Sequence, residues 1–263
     1  METISSKDNQ HIKLVRSLDR KKNRTKEGLF VVEGVRNCYE ALISAAHISF
    51  VLVKESKYNN PEITKLISMA EEKNLRVLTA NDNVFDSASN TEESQGIIVV
   101  AEIPHITKAE FLQRIAGKHI AVLDGLQDPG NAGTILRTAW AAGLGGVVLV
   151  NNSADLYNPK VVRSAMGAVY HVPFIRLDNE AAVQLLKESG CILAVADADG
   201  EDFRKFNSGN KPIAWLLGSE GNGVSEFWRR QAAATVSIPM APDVESLNVA
   251  VAAGILFFSN VEF

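Results

Sequence analysis

The sequence predicts an α/β fold in two parts, the second of which is a parallel β-sheet covered by helices on both faces. Short strand-like segments alternate with helical patterns along most of the 263 residues, as is typical of α/β proteins. The strand-like segments of the second part, such as residues 120–123 and 146–150, are apolar throughout, which indicates a sheet buried on both sides. The length fits one large domain or two small ones.

The first part combines three helices with four strands. Pro61 opens one of the helices, since proline is favoured in the first turn. Residues 19–26 form a polar, basic run, which is interpreted either as a solvated loop or as a surface for a negatively charged partner. Helices are predicted over residues 4–17, 35–45 and 61–73, and strands over residues 29–34, 50–53, 76–78 and 97–101.

The second part repeats the alternation more strongly. Pro104 interrupts the pattern, so we predict a first domain of residues 1–103, a linker of residues 104–117 containing a short polar helix, and a second domain of residues 118–263. Strands are predicted over residues 120–123, 146–150, 172–175, 191–196, 213–217 and 236–238, and helices over residues 131–142, 159–166, 181–188 and 247–258.

The charge of the chain is unevenly distributed. The 27 Lys and Arg against 31 Asp and Glu give a formal charge of −4, which by itself argues against a nucleic-acid-binding domain. Residues 1–36, however, contain nine Lys and Arg against five Asp and Glu, a net charge of +4 that leaves −8 for the remainder. Nucleic-acid binding by the first domain therefore stays open.

Several classes of protein are disfavoured. Cys38 and Cys191 are too few for a disulfide scaffold, which favours a reduced, cytoplasmic compartment. The five histidines form no closely spaced pair, so no metal site is expected. The N-terminus lacks the apolar core of a signal peptide, and no apolar run approaches the ~20 residues of a membrane span, so no membrane association is expected.

Three clusters rich in Gly, Pro and Asn follow predicted strands of the second domain, at the edge where open α/β sheets bind ligands. The first cluster, residues 123–139, runs from a strand through a Gly/Pro loop into a helix, whose free N–H groups suit an anion. Arg137 is interpreted as a phosphate ligand, and the alternative is a helix-capping Asn131 with a surface Arg137 in an ion pair. The cluster lacks the G-x-G-x-x-G and Gly-Lys-Ser/Thr patterns of nucleotide-binding loops.

The second and third clusters follow later strands. Residues 217–224 hold three glycines, which permit close approach of a ligand to the backbone. Glu220 in this loop is either a ligand for a hydroxyl or amine, or an ordinary residue near a helix start. In the third cluster two prolines lead to Ser246, the predicted N-cap of a long apolar helix. Asn248 follows in its first turn, and alone it is typical of a residue that hydrogen-bonds at a helix start.

Taken in this order, the three clusters resemble the three motifs of the SpoU (TrmH) family of RNA 2′-O-ribose methyltransferases, within the SPOUT superfamily. The resemblance covers residues 118–263 and is carried by DPGNAGTILR at 128–137, LGSEGNG at 217–223, and IPM and SLNV within 238–249. The FVVEG segment at 30–34 is similar, more loosely, to a small substrate-binding domain that is often fused to this family. That small domain resembles an RNA-binding ribosomal protein fold.

The resemblance implies a parallel-sheet domain with a deep trefoil knot, S-adenosylmethionine bound in the knot, and a homodimer with the knot region at its interface. The cofactor is expected to contact Gly218, Ile238 and Leu247, together with the adjacent Leu217 and Met240. The positions that match functional polar residues of the family are Asn131, Arg137, Glu220, Ser246 and Asn248. RNA binding is assigned to Lys21, Lys22, Arg24 and Arg137.

The implied reaction is methylation of a ribose 2′-hydroxyl in RNA, with ribosomal RNA of the 23S type as the expected substrate and tRNA as the alternative. Two other classes stay open, a non-catalytic RNA-binding protein on the same fold and a nucleotide- or NAD-dependent enzyme on an ordinary doubly wound sheet. The family mechanism gives the equivalent of Arg137 the role of base. A guanidinium normally keeps its proton, so binding a phosphate or stabilising the developing alkoxide is the other route.

Overall fold

The computed structural model describes residues 3–259, which form two compact units. The first unit combines the residues up to His105 with the segment Asp155–Tyr170, and the second combines Ile106–Ala154 with the residues from His171 onward. In chain order the elements up to the end of the first sheet are β1 (Thr3–Ile4), α1 (Gln10–Ser17), α2 (Lys21–Glu27), β2 (Leu29–Glu33), α3 (Val35–Ile43), β3 (Ile48–Lys54), α4 (Pro61–Glu72), β4 (Val77–Ala80), α5 (Asp82–Asp86) and β5 (Ile97–Glu102).

The later elements supply the second sheet and its helices. They are α6 (Lys108–Ile115), β6 (Ile120–Asp124), α7 (Pro129–Ala141), β7 (Gly146–Val150), α8 (Pro159–Ala165), β8 (Phe174–Arg176), α9 (Asn179–Ser189), β9 (Ile192–Asp202), β10 (Ile213–Gly218), α10 (Glu226–Gln231), β11 (Ala234–Ser237) and α11 (Val249–Phe258). The predicted α/β alternation is confirmed in both units. The sequence prediction missed α5 and α10, which are only one to two turns long and too short for a clear apolar period.

The first unit is built on a mixed five-stranded sheet in the order β1-β4-β3-β5-β2. Strands β1, β4 and β3 are parallel, whereas β5 runs antiparallel to both β3 and β2. Its apolar core joins α1 and α5 to one face of this sheet through residues such as Ile12, Phe50 and Phe85, each at most 3% exposed. Helix α8 packs against β2, although it comes from the middle of the second predicted domain.

The N-terminal segment differs from the predicted helix over residues 4–17. The chain first forms β1, and α1 begins only after Asn9, whose side chain accepts the N–H of His11. Ile12, Val15 and Leu18 are fully buried, whereas Ile4 in β1 and Leu14 pack against the core and are only partly buried. The fully buried helical positions therefore begin later than the prediction assumed. The basic run that follows is not a loop but helix α2, which ends at Gly28 in the left-handed conformation, with φ of 67°.

Arg24 in α2 is a buried structural residue, which corrects its assignment to an RNA-binding surface. It is 2% exposed, and its guanidinium donates to the carbonyls of Leu18 and Asp19 at 2.8 and 2.7 Å. It also forms an ion pair with Asp155 at 2.6 Å. Sequence alone could not separate it from Lys21 and Lys22, which are exposed on the same short helix.

The second unit contains a six-stranded sheet in the order β11-β9-β10-β6-β7-β8, and every pair in it is parallel. This confirms the parallel sheet expected from the apolar strands. Helix α6, in the segment predicted as a polar linker, packs into the core of this unit through Phe111 and Ile115, which are 0% and 1% exposed. Gly146 allows this contact, because a Cβ there would lie 2.8 Å from the Phe111 ring.

Among residues 3–259, no helix is long and apolar enough to cross a membrane. Across the same residues, the structure contains no group of three or more His, Cys, Asp or Glu side chains placed to hold a metal ion. Both cysteines are free thiols, and burial raises the pKa of each.

Candidate active site

The second unit contains a cavity of about 510 Å³ at the carboxyl end of β10, beside residues 196–198 of β9 and bounded by the loop between β11 and α11. Ligands bind at this edge of parallel sheets because strand ends and loops converge there. The cavity is lined by Ala196, Asp197, Ala198, Leu217, Gly218, Ser219, Glu220, Gly223, Arg229, Val236, Ile238, Met240, Glu245, Ser246, Leu247, Asn248, Val249, Ala252 and Leu256.

All five residues predicted to bind a cofactor lie in the wall of this cavity. Leu217 and Gly218 end β10, whereas Ile238, Met240 and Leu247 belong to the long loop before α11. Leu217 is buried, and Leu247 is 37% exposed. The structure therefore brings the second and third sequence clusters together around one mostly apolar space.

The glycine cluster forms a tight turn at the mouth of the cavity. Ser219 and Gly223 exchange two backbone hydrogen bonds of 3.0 and 2.9 Å. A Cβ at Gly218 would lie 2.2 to 2.4 Å from backbone atoms of Gly223 and Val224, so only glycine fits there. The turn holds Glu220 at its exposed tip, next to the cavity.

Three side chains, one from each sequence cluster, form a hydrogen-bonded chain beside the cavity. The amide Nδ2 of Asn131 donates to Glu220 Oε1 at 2.6 Å, and Asn248 Nδ2 donates to Asn131 Oδ1 at 3.0 Å. These residues are 89 and 117 positions apart in sequence. Asn131 has one partner on each side of its amide, which fixes the orientation of its side chain and links the two loops that border the cavity.

The helix caps differ from those predicted, and the difference explains how these side chains are placed. Asp128, not Asn131, caps α7 by accepting the N–H of Asn131 at 2.7 Å, so Asn131 lies inside the first turn with its amide free for the network. Asn248, not Ser246, caps α11 by accepting the N–H groups of Ala250 and Val251 at 2.9 and 3.3 Å. Its Oδ1 caps the helix while its Nδ2 reaches Asn131.

Arg137 and Ser246 lie outside this hydrogen-bonded chain. Ser246 lines the cavity and is exposed. Arg137 lies in α7, six residues after Asn131, and its side chain is exposed and has no hydrogen-bond or ion-pair partner among residues 3–259. It is not part of the cavity wall, so it is available to a ligand that approaches from solvent.

Two features of the site were missed by sequence reasoning. Asp124, buried at the end of β6, accepts the side-chain amide of Asn151 and, at 2.8 Å, the backbone N–H of Ser225. It thereby fixes the segment that follows the glycine turn. Its place directly after a predicted strand, ahead of a glycine, was the available signal.

The second missed feature is a bulge in β9. The pairing of β11 with β9 jumps from Thr235–Val195 to Val236–Glu201, so residues 196–200 leave the ladder, and residues 196–198 of this bulge line the cavity. Gly200 allows this, since a Cβ there would lie 2.5 Å from the backbone of Val236. The prediction ended this strand at residue 196, whereas the structure continues it to Asp202.

The fold and this site define a class of protein. It is a parallel α/β protein with a ligand cavity, beside which the side chains of Glu220, Asn131 and Asn248 are joined by hydrogen bonds. Comparison with known proteins is more specific. The model of the SpoU rRNA methylase family matches residues 118–258, and the model of the MRM3-like substrate binding domain matches residues 9–99. The chain belongs to the SpoU rRNA methylase family, which confirms the resemblance seen in the sequence.

Similar proteins extend over the whole chain. The 23S rRNA (guanosine(2553)-2′-O)-methyltransferase RlmP of Bacillus subtilis (strain 168) is 33% identical over 259 residues, 98% of each chain. The AdoMet-bound rRNA methyltransferase from Sinorhizobium meliloti is 28% identical, with a TM-score of 0.86 over 98% of this chain and 96% of that one. The SpoU methyltransferase AviRb from Streptomyces viridochromogenes, in complex with AdoMet, is 27% identical, with a TM-score of 0.82 over 95% and 96% of the two chains.

Proposed function

We propose that this protein transfers the methyl group of S-adenosylmethionine to a ribose 2′-hydroxyl in RNA, with ribosomal RNA of the 23S type as the substrate. The observation that carries the proposal is the set of side-chain hydrogen bonds linking Glu220, Asn131 and Asn248, which joins all three sequence clusters next to one cavity. The full-length similarity to a 23S rRNA 2′-O-methyltransferase supports the choice of substrate.

The cavity suits S-adenosylmethionine in size and chemistry. Its volume of about 510 Å³ falls in the range of small-ligand sites. Leu217, Ile238, Met240 and Leu247 supply apolar walls, and Gly218 leaves the backbone open to a ligand. When bound, the cofactor supplies a methyl group made electrophilic by its sulfonium charge, and the carboxylate of Glu220 in the wall favours a cation there.

The polar residues then position the ribose. Asn131 and Asn248 hold Glu220 in one orientation, so that its second carboxylate oxygen can accept a hydrogen bond from an RNA hydroxyl. Ser246, exposed in the cavity wall, offers a further hydroxyl to the substrate. Arg137, exposed and unpaired among the described residues, binds the phosphate that flanks the target and stabilises the developing alkoxide.

The proposal includes a homodimer, and α11 supports it. Val251, Ile255 and Phe258 are 52%, 36% and 43% exposed. Their spacing places all three on one side of the helix. An apolar stripe of this kind on a soluble domain marks a protein–protein interface. We also propose the trefoil knot at the loop before α11 and a cytoplasmic location, as the family resemblance implies.

Two alternatives make different predictions for modified RNA. A tRNA methyltransferase would place its product in tRNA, and a non-catalytic RNA-binding protein would make none. Mapping of 2′-O-methyl groups in total RNA, with and without the protein, separates the three. A gain at one position of 23S rRNA is the expected result, whereas a gain in tRNA alone or no gain at all would contradict the proposed substrate or activity.

The first unit is proposed to bind RNA through the exposed part of α2. The double variant Lys21→Glu/Lys22→Glu should weaken RNA binding and flatten its salt dependence, because each phosphate contact contributes about 0.7 to 0.9 to the slope of log K against log salt. Its thermal stability should not change, since both side chains are exposed. Filter binding over a salt series measures both the affinity and the slope.

Arg24→Ala is the matched control in the same helix. It removes the ion pair with Asp155 and should lower the free energy of unfolding by about 3 kcal/mol. An unchanged salt slope in the Lys21→Glu/Lys22→Glu variant would mean that this surface does not contact RNA.

A further inference from the structure

An ion pair outside the predicted site lies in the wall of the cavity. Arg229 in α10 and Asp197 in the bulge of β9 both line the space, and Arg229 Nη2 lies 2.5 Å from Asp197 Oδ2. Neither residue belongs to the three sequence clusters. The pair joins two segments that only the folded sheet brings together.

The two partners are not equivalent. The side chain of Asp197 is 10% exposed, and its other oxygen accepts the backbone N–H of Asp199 at 3.2 Å, so the carboxylate is held on both sides. Arg229 is 39% exposed, and its Nε donates to the carbonyl of Val224 at 3.1 Å. A guanidinium has five N–H donors. Those two contacts orient the group and leave further N–H groups for a ligand in the cavity.

Acidic side chains outnumber basic ones in the wall of the cavity. Asp197, Glu220 and Glu245 contribute carboxylates, and Arg229 is the only cationic side chain of the wall among residues 3–259. An anionic group bound anywhere else in this space would face carboxylates without a counter-charge. The cavity therefore offers one place for one negative group.

We propose that Arg229 binds the α-carboxylate of S-adenosylmethionine and that Asp197 is a positioning residue for Arg229. This inference rests on the proposed cofactor, whose α-carboxylate is its single anionic group. A guanidinium matches a carboxylate in charge and in its forked geometry. The pair then orients the amino-acid end of the cofactor and selects against adenosyl compounds that lack it.

The test measures binding rather than turnover. Calorimetric titration of the full chain compares S-adenosylmethionine with its decarboxylated form, which keeps the sulfonium and the amine. The natural protein should bind S-adenosylmethionine about 10-fold more tightly or better, the effect of one charged hydrogen-bonded pair. Arg229→Ala should lose that preference, Arg229→Lys should keep part of it, and Asp197→Asn should reduce it.

Arg230→Ala is the matched control, since Arg230 is adjacent but pairs with Glu226 and does not line the cavity. It should keep the full preference. A preference that persists in Arg229→Ala, or that is absent from the natural protein, overturns the inference. If Arg229→Ala fails to fold by circular dichroism, Arg229→Gln provides the same comparison. Binding of neither compound to the natural protein would contradict the proposed cofactor, a failure distinct from binding both equally.

Discussion

Arg137→Ala should nearly abolish methyl transfer, with a loss of about 10³-fold in rate, while binding of S-adenosylmethionine is unchanged. Arg137 is not part of the cavity wall, so its removal takes nothing from the cofactor. Its side chain is exposed and unpaired among the described residues, so its removal also leaves no buried group without a partner. Single-turnover methylation of RNA and calorimetric titration of the cofactor measure the two effects separately.

The size of the effect follows from the charge that develops on the attacking oxygen. The ribose hydroxyl must lose its proton to solvent as it attacks, which leaves negative charge on the oxygen, and a fixed guanidinium stabilises that charge without reorganisation. Arg137→Lys keeps the charge but loses the forked geometry, so it should recover part of the rate. Recovery by lysine favours an electrostatic role over proton abstraction.

Arg114→Ala is the control for a general loss of positive charge, because Arg114 lies exposed on α6 of the same unit. It should methylate at the normal rate. Full turnover by Arg137→Ala would contradict the role assigned to this residue. Loss of cofactor binding would mean that Arg137 acts on the cofactor and not on the RNA substrate.

The sequence predicted the strands well and the caps poorly, for a physical reason. A buried parallel strand such as β7 is an apolar run, so its bounds can be read from local composition. A cap depends on which of several polar residues reaches the first free N–H groups of the helix. The path of the preceding loop places Asp128 and Asn248 there. Local pattern could not separate them from Asn131 and Ser246.

Long-range contacts set the other limit. The three clusters were visible in the sequence, but the contacts of Asn131 with Glu220 and Asn248 join segments that only the sheet order brings together. Arg24 is a second example. Its partner Asp155 is 131 residues away, so nothing in the local sequence indicates that this arginine is buried. Charge composition identified the basic helix, and the fold decided which of its charges reach solvent.

Asn248 performs two tasks with one amide, and substitution can separate them. Asn248→Asp keeps an oxygen that caps α11, and aspartate is as good a cap as asparagine. It removes the N–H donor to Asn131 and places a carboxylate against the Oδ1 of that amide. Thermal stability should therefore hold, while methyl transfer falls by about 10- to 100-fold as Glu220 loses its fixed orientation.

Asn248→Ala loses both tasks, so it should also lower the free energy of unfolding by about 1 kcal/mol. Asn158→Asp is the matched control, because Asn158 caps α8 in the same way, accepting the N–H of Lys160 at 2.9 Å, and has no part in the network. Thermal melts measure the stability of the three variants, and single-turnover experiments independently measure their rates of methyl transfer. An active Asn248→Asp would show that the helix cap, and not the link to Asn131, is what the reaction requires of this residue.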